Sequence, residues 1–154
     1  MGRCRTRAQA VIILDAYAVI AVLEVEYAAP QVRALIEGDE DTALTVLGVA
    51  EVVDYLVRSA GTDEGDAALD LTQLGLADPS PLDRLVATQA GLLRARHYNR
   101  RTRAISMADC VAAETARSLD APLATADPAL LDTCAAEGIA VIALPDTTGA
   151  VWTG

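Results

Sequence analysis

The sequence predicts an α/β fold with a central, mostly parallel sheet of four to five strands and helices on both faces. Two features carry this. Short apolar runs of strand length alternate with longer stretches of helical periodicity, and no Asn-Gly type hairpin turn joins one run to the next. Strands connected through helices come out parallel, with the helices covering both sides of the sheet. At 154 residues the chain is one domain long enough to bury a sizeable core. We place that domain at residues 10–146, after a flexible arm over residues 1–9 and before a tail over residues 147–154.

Val11 to Leu14 is an apolar run suited to a strand buried on both faces, and it ends at Asp15. Ala18 to Glu26 reads as a helix; Pro30 opens another through Ile36, closed by Gly38. Asp39, Glu40 and Asp41 form a solvated turn. Thr42 to Val46 is β-prone and leads into a helix carrying Ala50, Glu51, Val52 and Leu56, stopped by Gly61. Thr62 or Asp63 caps the next helix, with Ala67, Leu71 and Leu74 at helical spacing. Leu76 to Ser80 is a brief strand candidate broken by proline, and Pro81 starts a long helix from Leu82 to about Arg96. Ser106 caps Met107 to Leu119. Pro122 to Thr125 is a strand ending just before Asp127, Pro128 opens a helix closed by Gly138, and Ile139 to Leu144 is the final strand. The tail from Asp146, which holds the sole tryptophan, Trp152, carries no pattern.

The chain contains no lysine. That removes a phosphate-binding GxxxxGK[ST] loop, a Schiff-base enzyme and a phospho-accepting receiver domain, each of which needs one. Aspartyl-phosphate hydrolases use Asp-x-Asp after the first strand, where this chain has Tyr17. No apolar run approaches the roughly 18 residues of a membrane span. Arg3, Arg5 and Arg7 precede no apolar stretch of signal-peptide type. Cys4, Cys110 and Cys134 lack CxxC or Cys/His pairing, which speaks against zinc and a disulfide framework and for the cytoplasm. His97, beside Arg96 in a polar run, is expected at the surface or against the backbone rather than as a general base.

A net charge of −10 argues against generic affinity for nucleic acid, so its distribution matters more. Arg94, Arg96, Arg100, Arg101 and Arg103 lie within ten residues that contain no acid, while the other seven arginines face twenty-two acids. Such a run is ordinarily a solvated helix end; placed just before Asp109 it is equally a phosphate-contact patch. Four acids stand out by position. Asp15 and Asp127 follow strands, and Glu51 and Asp109 are expected on the first turns of helices that begin at the same sheet edge. A parallel sheet offers its ligand crevice at that edge. Acids gathered there call for a divalent cation, and Mg²⁺ or Mn²⁺ held by oxygen ligands serves phosphodiester chemistry. Asp54 and Glu114, three and five residues along a helix from two of these acids, are expected nearby or at the surface.

The local sequences sharpen this. Leu14-Asp15-Ala16-Tyr17-Ala18, Ala50-Glu51-Val52, Ile105-Ser106-Met107-Ala108-Asp109-Cys110 and Thr125-Ala126-Asp127 occur in that order. From about Val11 to Leu144 the chain resembles the PIN-domain ribonucleases, and within them the VapC-type toxins of bacterial toxin–antitoxin pairs. The resemblance implies a metal-dependent endoribonuclease, using Mg²⁺ or Mn²⁺ and a metal-activated water, that acts as the toxin of a type II system. Asp15, Glu51, Asp109 and Asp127 would be its metal-binding and catalytic acids, and Ser106 and Thr125 would hydrogen-bond the acids or cap a helix. Arg94, Arg96, Arg100, Arg101 and Arg103 are then the candidate RNA contacts. It also implies an RNA substrate, a cognate antitoxin, a homodimer and no membrane association. A PIN fold that only binds RNA or a partner is the alternative, disfavoured because all four acids are present. Tyr17 departs from the family, which usually has Ser or Thr there.

Overall fold

The computed structural model describes residues 10–154; the arm over residues 1–9, with Arg3, Cys4, Arg5 and Arg7, lies outside the described residues. Within them the order is β1 (Val11–Leu14), α1 (Ala16–Leu23), α2 (Ala29–Ile36), β2 (Asp41–Ala43) and α3 (Val46–Asp54). Helix α3 runs on as a π-helical turn over Tyr55–Ser59. Then come α4 (Glu64–Gln73), α5 (Arg84–His97), α6 (Met107–Ser118), β3 (Leu123–Thr125), α7 (Pro128–Glu137) and β4 (Val141–Ala143). The four strands form one sheet in the order β2-β1-β3-β4, every pairing parallel.

The period-two alternation of β1 explains the layering. Ile12 and Leu14 pack into a core with Val19, Val32, Val52 and Leu56, on the α1 to α4 side. Ile13 points the other way, among Leu93, Ile105, Leu123 and Leu130 on the α5 to α7 side. Helices therefore cover both faces, and the sheet between them is dry. From β1 the chain moves out to β2, then crosses back to β3 on the other side of β1 and on to β4. The crevice at this reversal opens beyond the carboxyl ends of β1 and β3.

Two expected elements differ. Leu76–Ser80 is not a strand: Ala77 N–H donates to Thr42 O (2.8 Å), beside β2, and the pairing goes no further. Pro79 has no N–H with which to extend a ladder. Helix α5 starts at Arg84 rather than after Pro81, because the Asp83 carboxylate accepts from Val86 N–H (2.8 Å) and sets the cap there. The segment after β4 forms no helix or strand, yet it is tied down. Tyr17 Oη donates to Pro145 O (2.9 Å) and Trp152 Nε1 donates to Asp132 Oδ1 (2.9 Å). None of the described helices is long and apolar enough to cross a membrane.

Candidate active site

Each acid is set by a local rule. Asp15 is the first residue past β1 and is 9% exposed. Thr125, the last residue of β3, donates its hydroxyl to Asp15 Oδ2 (2.8 Å) and accepts from Asp127 N–H (3.1 Å). One buried hydroxyl thus ties the ends of two adjacent strands. Asp127 caps α7, its Oδ1 accepting from Ala129 N–H (2.8 Å) and Leu130 N–H (3.4 Å). Asp109 belongs to a capping box at the start of α6. Ser106 Oγ accepts from Asp109 N–H (3.0 Å), and Asp109 Oδ2 accepts from Ser106 N–H (2.7 Å). Glu51 lies in the second turn of α3 rather than the expected first, because Thr45 caps that helix through Gly48 N–H (2.9 Å).

The acids sense one another. Burial, then the charges of Asp109 and Glu51, push the Asp15 carboxyl up to about 7 against the opposing Thr125 hydrogen bond. Glu51 is raised by burial and then by Asp109. Asp109 is raised by burial and by Asp127, although its bonds to Ser106 work the other way. These pairwise repulsions join all four acids into one cluster.

Asp15, Glu51 and Asp109 line a cavity of about 480 Å³ together with Tyr17, Tyr55 and Arg58. An adjoining cavity of about 290 Å³ holds Asp127 and shares Asp15, Tyr17 and Thr147. The π turn delivers Tyr55 and Arg58 to the wall; such turns recur at functional sites. Arg58 forks onto Asp54, with Nη2 to Oδ2 at 2.8 Å, and this hydrogen bonding holds the Asp54 carboxyl below its usual range. Asp54 therefore faces the crevice already paired. Glu114 is buried against Arg117 (Nε to Oε2, 3.2 Å) and lines neither cavity.

Among the described residues no three acids are drawn together into a closed cation cage. An oxygen-only donor set in which the Asp15, Glu51 and Asp109 carboxyls are raised nevertheless suits a hard divalent cation. Mg²⁺ in particular uses few carboxylates and keeps several waters. Cys110 and Cys134 are buried, their thiols pushed up to about 11 and about 12, which makes them inert packing residues.

Three members of the arginine run are engaged by other residues of the chain. Arg94 Nε donates to Ile105 O (3.1 Å) and its guanidinium lies 4.0 Å from the Tyr98 ring centroid. Arg96 pairs with Glu137 (3.2 Å), and Arg103 Nη1 meets His97 Nδ1 (2.9 Å). His97 Nε2 in turn bonds Glu137 Oε1, so the histidine is structural. Glu137 also takes Arg117 (2.8 Å), and these partners hold its carboxyl down at about 2. It ends the ten-residue α7 that Asp127 begins, about 15 Å along the helix from that acid. Arg100 and Arg101 stand exposed on a tight turn, closed where Asn99 Oδ1 accepts from Arg101 N–H (2.9 Å) and Thr102 N–H (3.2 Å).

Two wall residues carried no sequence signal. Glu26 and Thr147 reach the acid cavity from the α1–α2 loop and the C-terminal segment, 121 positions apart.

Residues 12–136 match the family model described as the PIN domain. The chain belongs to the PIN-domain family. The acids, caps and parallel sheet above are thus features of this PIN domain. Its fold is similar to VapBC2 from Rickettsia felis, solved bound to a DNA fragment from their promoter: TM-score 0.65, 13% identity, covering 86% of this chain and 97% of that one. VapBC-1 from nontypeable Haemophilus influenzae gives 0.62 at 17% identity, covering 86% and 96%. FitAcB from Neisseria gonorrhoeae gives 0.58 at 20%, covering 85% and 96%. No curated protein matches this chain in sequence.

Proposed function

We propose that this PIN domain is a Mg²⁺- or Mn²⁺-dependent endoribonuclease and the toxin of a type II toxin–antitoxin pair. The observation that carries this is the cluster of Asp15, Glu51, Asp109 and Asp127, whose mutual repulsion at a strand-end crevice needs a cation to offset it. A bound divalent cation would neutralise the phosphodiester and make water a better nucleophile. The chain itself supplies orientation. Thr125 fixes Asp15, and the caps fix the rotamers of Asp109 and Asp127, so three carboxylates are preorganised. Glu51 approaches from α3 and, among the described residues, has no side-chain hydrogen bond to hold it. Arg100 and Arg101, exposed and uncommitted by the contacts that occupy their neighbours, are the arginines best placed to take RNA phosphates.

The VapBC and FitAcB neighbours support an antitoxin partner, and the acidic crevice suits a basic segment whose arginine pairs with the carboxylates. A homodimer is supported by Leu85 (68% exposed) and Leu92 (49%), one heptad apart on α5.

The test is cleavage of RNA with added Mg²⁺ or Mn²⁺, by wild type and by Asp109→Asn. Asparagine keeps an acceptor for Ser106 N–H, so circular dichroism should show an intact fold while cleavage disappears. Full activity of the variant, or undiminished activity in excess chelator, would refute the proposal. A neighbouring gene product that fails to relieve growth arrest would refute the antitoxin, and a monomer by light scattering the dimer.

A further inference from the structure

A second groove, of about 660 Å³, continues from the acid cavity across a shared wall of Glu26 and Thr147. Its far side is apolar, formed by Val25, Tyr27 and Pro30, and Arg33 stands at its edge. The Tyr27 ring is 67% exposed, and Gly149 allows the C-terminal segment to lie against it: a Cβ there would come 3.3 Å from Cδ1. The ring is thereby braced on one side while staying open to the groove. Val25 occupies the C′ position of a Schellman turn, with Glu26 N–H donating to Ala21 O (2.9 Å). Its φ of 56° is strained for a β-branched residue, and its side chain is 75% exposed, so the strain serves no burial. That turn sends the Glu26 side chain inward. Among the described residues Glu26 Oε2 is buried with no hydrogen-bond partner. The nearby Tyr17 hydroxyl donates to Pro145 O (2.9 Å). A buried acceptor left without a donor is costly, so rotation onto a donor brought by a ligand is favoured.

We infer that this groove takes an unpaired guanine base of the RNA, adjacent to the phosphodiester held at the acids. The inference rests on the ribonuclease assignment for its substrate class. The base stacks on Tyr27, as unpaired bases do on aromatic side chains. Guanine is selected because its Watson–Crick edge sets N1–H beside N2–H₂, two donors matching the two oxygens of the Glu26 carboxylate. Adenine and cytosine place an acceptor next to their donor, and uracil flanks one donor with two acceptors, so each meets the carboxylate with repulsion. Among the described residues Arg33 gives only one long bond, to Val22 O (3.5 Å), and keeps N–H groups for a neighbouring phosphate.

The experiment is an NMR titration of the metal-free full chain with millimolar guanosine, inosine, adenosine or uridine. Guanosine should shift the amides of Glu26, Tyr27, Thr147 and Gly149 in a saturable way. Inosine, which lacks the N2 amine, should bind about tenfold more weakly, and adenosine and uridine should leave the amides in place. Tyr27→Ala, a change outside the core, should weaken guanosine about tenfold or more, and Glu26→Gln should abolish the preference over inosine. No saturable shift with guanosine, or wild-type behaviour in both variants, would overturn the inference. So would shifts caused by a basic peptide and by no nucleoside, which would make the groove a protein site. Cleavage is read separately. A chain that binds guanosine but cuts no RNA sinks the ribonuclease assignment and leaves the base site standing. A chain that cuts RNA but ignores guanosine does the reverse.

Discussion

Asp15→Asn should stabilise the metal-free protein, and the amount should depend on pH. The Asp15 carboxyl is raised from 3.8 to about 7, first by burial and then by Asp109 and Glu51. Below 3.8 the folded and unfolded chains both hold the proton. Between 3.8 and about 7 the folded chain keeps it while the unfolded chain releases it, so rising pH draws the equilibrium toward unfolding. At about 1.4 kcal/mol for each pH unit across that window, the wild type loses about 4 kcal/mol by pH 8. Asparagine carries no charge to desolvate, and its amide oxygen still accepts from the Thr125 hydroxyl that now lies 2.8 Å from Asp15. Urea unfolding in chelator should show the two proteins alike near pH 4 and the variant about 4 kcal/mol more stable near pH 8. In Tm that is about 10 °C for a chain of this length. Added Mg²⁺ at pH 8 should narrow the gap by stabilising the wild type more. An equal difference at both pH values would refute the reasoning, because it would mean that Asp15 is not held as a desolvated carboxyl among like charges.

Thr125→Val keeps the buried shape but removes the donor to Asp15 and the acceptor for Asp127 N–H. Cleavage or metal affinity should fall about 10- to 100-fold, with recovery in Thr125→Ser, measured by kcat/KM and metal titration. Replacing Arg100 and Arg101 together by glutamine should weaken RNA binding and lower the salt slope by about 0.7 for each lost single-strand contact, read by anisotropy at several salt concentrations. Glu137→Ala should cost about 2 kcal/mol near pH 7, since water partly screens its ion pairs. Because its carboxyl is depressed from 4.5 to about 2, that stability is present above 4.5, and urea unfolding should show the difference fade as pH falls toward 2.

The parts that could be read in the chain were those set locally. Val11 to Leu14 ends in Asp15, Ser106 stands three residues before Asp109, and Pro128 follows Asp127, and each places its acid by strand termination or helix capping. Errors arose where two local signals competed. Pro81 and Asp83 both announce a helix start, and the side-chain bond to Val86 decides between them. Leu76 to Ser80 has apolar strand-like character, but no residue after Ala77 continues the bond to Thr42 O. What no local pattern contains is long-range closure. Tyr17 meets Pro145 across 128 positions, and Thr147 comes to the acid cavity only because the chain after β4 folds back. The partners of the arginine run are equally non-local: Arg96 meets Glu137, 41 positions away, and Arg94 donates to Ile105 O, 11 positions away.

The capping bonds at Asp109 and Asp127 constrain how such a chain can age. Both carboxylates hold the first turn of a helix, so alanine at either position costs about 1 kcal/mol of fold stability as well as any catalysis. Asparagine or serine would silence the chemistry and still hold the helix end. Glu51 caps no helix end, so replacing it by another helix-compatible residue removes no capping bond. A descendant released from selection for catalysis should therefore drift first and most freely at 51, and at 109 and 127 only among residues that still cap. Its relics would keep the outline of the site long after losing its charge.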